Sequence, residues 1–148
     1  MTESVWDYPR PPRLEPNTRR IEVIHHGVTI AATSGGWRVL ETSHPPVFYI
    51  PIADVRRDLL KPSQRSSFCE FKGAASYWNL HLPDGTVVPD VGWFYPDPTD
   101  AFAEIKDAVA FYASRIDTAT VDGEVVTPQA GRFYGGWITA EIVGPFKS

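Results

Sequence analysis

Short runs of alternating apolar and polar residues, broken repeatedly by Pro and Gly, set the pattern of this chain. In IEVIHHGVTIAAT, Ile21, Val23, Val28 and Ile30 alternate around a His26-Gly27 turn, which predicts a hairpin. After Gly35-Gly36, WRVLETSHPPVFYIP places Trp37, Val39 and Glu41 on one strand face and Arg38 and Leu40 on the other. Pro45 and Pro46 stop that strand, and Val47, Tyr49 and Pro51 follow in an extended segment. LHLPDGTVVPDVGWFYP reads as a strand, a Pro83-Asp84-Gly85 turn and a returning strand on which Trp93 and Tyr95 share a face. Pro89 confines that returning strand to an edge or a bulge. Asp122-Gly123 between two β-branched runs predicts a further hairpin, and Gly135-Gly136 is expected to bulge or bend the last strand.

Helical spacing occurs twice. Over residues 53–63, Val55, Leu59 and Leu60 line one side, with Asp54 near the positive end, Lys61 near the negative end and Pro62 as the stop. Over residues 100–106, Thr99 is the expected N-cap and Phe102 and Ile105 fall at helical spacing, while AVAFY beyond them suits a strand equally. The proline-rich residues 1–18 read as an extended tail outside a single domain spanning 19–148. Trp6 and Tyr8 on that tail suit docking onto the body or onto a second copy in a homodimer.

Composition narrows the class. A chain of 148 residues with 43% hydrophobic and 22% charged residues is a natural single globular domain. Five Trp, six Tyr and eight Phe need walls to pack on or a ligand to face. A net charge of −4 and the lack of a basic run argue against duplex nucleic acid as a partner. One Cys excludes an intrachain disulfide and any zinc site needing two thiolates from one chain. No apolar run approaches 18 residues, so the expectation is a soluble cytoplasmic protein with no membrane, metal or cofactor.

Candidate chemistry concentrates in SSFCEFKGAASYW, residues 66–78. If SFCEFK is a regular strand, Phe68, Glu70 and Lys72 face one way and Ser67, Cys69 and Phe71 the other. Cys69 then becomes a small buried hydrophobe, while Glu70 and Lys72, roughly 7 Å apart along one face, suit an ion pair or contact with one ligand. Tyr77, Trp93, Tyr95 and Trp137 supply aromatic walls, and His44, restricted by Pro45, is a further binding candidate. His25 and His26, adjacent on a strand, should diverge, which makes them a poor metal pair and solvated turn residues. Phosphate-loop, dinucleotide, nucleophile-elbow and His-Glu-x-x-His patterns are all missing from the sequence, and catalytic residues stay unknown.

Four motifs in order, ETSHPPVFYIP, SFCEFKGAASYW, VDGEVVTPQAGRFYGGWIT and IVGPFK, resemble the bacterial family called domain of unknown function 427 over residues 20–147. Phe71 stands where that family usually has Trp between Glu and Lys. The resemblance implies a mainly β, β-tent-like fold: two small antiparallel sheets over a cavity, with two short helices. The zinc that tent-like relatives build from two Cys pairs is not expected from one Cys. The family also carries a loose nucleotidyltransferase-like label, which this sequence does not support, because neither a Gly-Ser loop nor metal-holding paired carboxylates are visible.

These readings converge on a small-molecule-binding domain of unknown ligand, its cavity lined by Glu70, Lys72, Tyr77, Trp93, Tyr95, Trp137 and His44. The alternatives are an enzyme, transferase-like, that uses Lys72 and Glu70, and a homo-oligomeric interaction protein built on the aromatic tail.

Overall fold

The computed structural model describes residues 2–131 and 133–147. In chain order the strands are β1 (Glu3–Ser4), β2 (Arg13–Pro16), β3 (Ile21–His25), β4 (Val28–Thr33), β5 (Trp37–Leu40), β6 (Val47–Tyr49), β7 (Leu60–Cys69), β8 (Gly73–His81), β9 (Val87–Phe94), β10 (Ala110–Phe111), β11 (Thr118–Val121), β12 (Glu124–Val125), β13 (Thr127–Pro128), β14 (Trp137–Ile138) and β15 (Ile142–Val143). They form five small sheets: β10-β9-β8-β7, β12-β11-β3-β4, β2-β5-β6, β13-β14 and β1-β15. Only the β1-β15 pair among them is parallel. The mainly β, antiparallel character expected from the sequence is therefore present, but in five sheets where two were expected.

The two expected helices are 3-10 segments. Val55 is extended and bridges Ala31, which splits the first stretch into Ile52–Asp54 and Arg57–Leu59. Leu60 then opens β7 directly, so Pro62 lies inside a strand and does not end a helix. It is tolerated there because β7 is an edge strand whose register shifts between Pro62 and Ser66. The second stretch, Asp100–Ile105, is 3-10 with a kink at Phe102. In β9, Pro89 lies beyond the reach of β10, and the expected irregularity is a register shift opposite Trp78 and Leu80.

Local chemistry explains the two tightest hairpins. His26-Gly27 and Asp122-Gly123 both take positive φ at both central residues, the geometry that matches strand twist and favours Gly second.

The main core fills the space between the β3-β4 hairpin with β11 and the β7-β10 sheet, with Ile21, Val23, Ile30, Leu80, Val91 and Phe111 almost fully buried. Alternation along β8 gives Trp78 and Leu80 to this core and Tyr77 to a second cluster that holds Tyr49, Trp93, Tyr95 and Phe102.

Residues 3–16 pack on the body. β1 pairs with β15, β2 runs along β5, and Val5 is completely buried. The anchor is Arg38 on β5, itself 4% exposed, which donates to Glu3 at 2.6 Å and to Glu15. Two carboxylates compensate the charge that β5 buries. Trp6 stays half exposed, its indole N–H donating to the Pro145 carbonyl at 2.9 Å.

Candidate functional site

The site begins at the β7-β8 turn. Cys69 pairs with Gly73, so residues 70–72 form a hairpin tip and the strand alternation expected through Lys72 stops at Cys69. Gly73 is required: its φ is +110°, and a Cβ there would lie 3.3 Å from the Asp97 carbonyl. The tip is clamped from outside, because Thr99 donates its hydroxyl to the Phe71 carbonyl at 2.7 Å and its amide to the Lys72 carbonyl at 3.0 Å. Thr99 stands at the expected cap position, yet its side chain serves this tip and makes no cap bond.

The consequence for charge is a separation. Glu70 is exposed while Lys72 is 9% exposed, and the two make no ion pair among the described residues. The shared strand face expected for them does not exist, because a turn does not alternate. Cys69, expected in the core, is half buried. Phe68 is 75% exposed.

Lys72 faces a cavity of about 400 Å³. Val39 of β5, Tyr49 of β6, Ser67 and Cys69 of β7, Tyr77 of β8 and Trp93 of β9 supply its walls. His44, Glu70 and Tyr95 also border it. Trp137 does not: its ring packs on Phe48 in the main core at 5.5 Å, and its indole N–H donates to the Phe111 carbonyl at 3.0 Å. Trp137 therefore serves packing, against the expectation that it lined the cavity.

The cavity floor is aromatic and hydroxyl-bearing. The Trp93 indole N–H donates to the Tyr49 hydroxyl at 3.2 Å, and Ser67 and Tyr77 share a hydrogen bond of 2.8 Å. Burial pushes the Tyr49 and Tyr95 phenols well above the usual tyrosine range, and burial first, then the neighbouring Tyr77, pushes Tyr112 up to about 12. The Tyr49 and Tyr95 hydroxyls stay neutral at any ordinary pH, and the Tyr112 hydroxyl donates to the Phe133 carbonyl at 2.9 Å. The Lys72 ammonium lies 6.0 Å from the Tyr95 ring centre and 5.8 Å from that of Phe102. Among the described residues it has no hydrogen bond or ion pair.

The opposite side of the cavity comes from residues whose role the sequence did not reveal: Arg10, Glu41, Gln129, Tyr134 and Lys147. Arg10 and Glu41 neutralise one another at 3.0 Å. Lys147 sits 6.0 Å from the Tyr134 ring centre. The Gln129 amide nitrogen lies 3.3 Å from His44 Nδ1, and Tyr134 meets the imidazole edge-on. Burial holds His44 below the usual histidine range; Glu41 opposes that, and Lys147, Arg10 and Lys72 reinforce it. The Gly135 backbone rests on Trp93, since a Cβ there would be 2.4 Å from the indole. Of the wall residues not named as candidates, Tyr49 was open to sequence reasoning, because it alternates with Val47 in HPPVFYIP.

A second cluster departs from expectation. His26, with φ of +49°, turns its ring back over His25, and the two stack at 4.3 Å. His25 is buried, and its Nδ1 accepts from the Asp117 amide at 3.0 Å, while His26 Nδ1 lies 3.1 Å from Asp84. Ligating atoms of His25, His26 and Asp117 come within 4.8 Å of one another, a spacing a metal could bridge. The lone pair that His25 would offer through Nδ1 is already committed to a backbone amide.

No described helix is long and apolar enough to cross a membrane. Residues 13–122 match the family described as a domain of unknown function, DUF427. No curated protein matches the chain. Arg10, Gln129, Tyr134 and Lys147 of the cavity wall lie outside the matched residues.

Proposed function

The chain belongs to the DUF427 family, and from that premise we propose that it is a small-molecule-binding β domain whose ligand occupies the cavity beside Lys72, Tyr77, Trp93 and Tyr95. One observation carries the reading: Lys72 is buried and borders the cavity, and its ammonium has no hydrogen bond or ion pair among the described residues. Withdrawing an ammonium from water is costly unless something compensates it, and two aromatic faces near 6 Å compensate only in part. A ligand with an acceptor group completes the compensation. The volume of about 400 Å³ and the mix of aromatic walls with a few polar groups suit a metabolite-sized guest. In this reading the β10-β9-β8-β7 and β2-β5-β6 sheets, which both supply wall residues, are the two sides of a tent-like arrangement.

Native mass spectrometry of freshly purified protein, with thermal shift against a panel of metabolites and nucleotides, tests the reading. A co-purifying mass or a Tm rise that is lost in Lys72→Met supports it. A flat response across the panel, with no bound mass, counts against it.

A further inference from the structure

We infer that the ligand of this cavity is a planar organic monoanion, an aromatic or conjugated carboxylate whose charged group meets Lys72 and whose ring lies against the tyrosine and tryptophan floor. The inference rests on the binding reading above and adds the ligand's charge and shape. Charge comes first. Arg10 is already matched by Glu41 at 3.0 Å, and His44 is held neutral by its burial. Lys147 sits toward the Tyr134 side, leaving Lys72 as the buried cation that faces the aromatic floor.

One buried cation asks for one negative charge. A polyphosphate would need several cations or a metal, and Glu70, which also borders the cavity, repels multiple negative charge.

Shape follows from the floor. Tyr49, Tyr77, Trp93 and Tyr95 all belong to one buried cluster and all border the cavity. Rings of this kind gain from stacking on a flat partner, edge-on or offset. Burial keeps the Tyr49 and Tyr95 hydroxyls neutral, so they do not repel a carboxylate and can donate to it. Of these, only Tyr49 receives the Trp93 N–H, and Ser67 engages Tyr77. A saturated or highly hydroxylated guest would waste the ring faces, and a neutral guest would leave the Lys72 ammonium uncompensated.

The test titrates the full chain with 4-hydroxybenzoate, cinnamate and indole-3-acetate, each against its own primary amide, with inorganic phosphate and ATP alongside, by calorimetry and saturation-transfer NMR. The expected result is that at least one acid binds tenfold or more tighter than its amide, and that Lys72→Gln erases this preference while Lys72→Arg keeps most of it. The acid-against-amide comparison is made on the unaltered protein, so it stands even if a Lys72 variant fails to fold. Equal binding of acids and amides overturns the inference while leaving the cavity reading intact. Tighter binding of phosphate or ATP than of any acid overturns it in favour of a phosphate ligand. Binding of nothing in the panel overturns it together with the cavity reading.

Discussion

Thr99 reaches across to the β7-β8 turn and donates its hydroxyl to the Phe71 carbonyl at 2.7 Å. That bond, with the adjacent amide bond to Lys72, fixes the backbone from which the buried lysine projects. Thr99→Val keeps the shape and the amide bond but loses the hydroxyl. It is expected to cost about 1 kcal/mol of stability and to weaken Lys72-dependent binding, while Thr99→Ser restores both. Paired denaturant melts and titrations with an aromatic acid check this; a variant with unchanged affinity would show that the clamp does not position Lys72.

Gly135→Ala probes the cavity roof. The added methyl would sit 2.4 Å from the Trp93 ring, which must move, and overpacking of this kind costs about 1–3 kcal/mol. The expected signature is a lower urea midpoint together with altered tryptophan emission. Gly27→Ala makes a useful contrast, since nothing lies within 4 Å of its Cβ and only the left-handed turn is strained.

Acid should loosen the N-terminal segment. Burial alone would raise the Glu3 carboxyl, but hydrogen bonds from Arg38 and Tyr8 outweigh it and hold the group below its ordinary 4.5. A depressed folded pKa gives stability that is complete above the unfolded value and is lost as pH falls through the folded one. Hydrogen exchange at the Glu3 amide, bonded to the Glu141 carbonyl at 2.7 Å, should therefore speed up as the pH falls below 4.5, after correction for intrinsic rate. In Glu3→Gln the corrected rate should be fast already at neutral pH and lack that step.

His44 gives a second, separable pH effect. Its folded pKa lies below 6.5, so the neutral ring is the stable form. Its contribution is complete above that value and drains away as the pH drops from there toward the folded pKa. The melting temperature should decline over that interval in the native protein, and His44→Gln should remove this part of the decline. A slope identical in both proteins would assign the effect elsewhere.

Alternation and turn chemistry made the hairpins legible, because His26-Gly27 and Asp122-Gly123 state their geometry locally. The same logic failed at Glu70 and Lys72, where a three-residue turn replaces two strand positions and separates a pair that looked joined. It failed again at Val55, whose bridge to Ala31 is a tertiary contact that overrides helical spacing. Tyr77, Trp93 and Tyr95 could be grouped from strand faces, whereas Trp137 could not be told apart from them, because its core neighbours Phe48 and Phe111 are distant in sequence. Arg10 and Lys147 stayed hidden for the same reason. Nothing local links residues so far apart along the chain.

Arg10 and Lys147, 137 positions apart along the chain, border one space. A ligand bound there would tie those two distant segments together, and slower proteolysis at both in its presence would report its arrival.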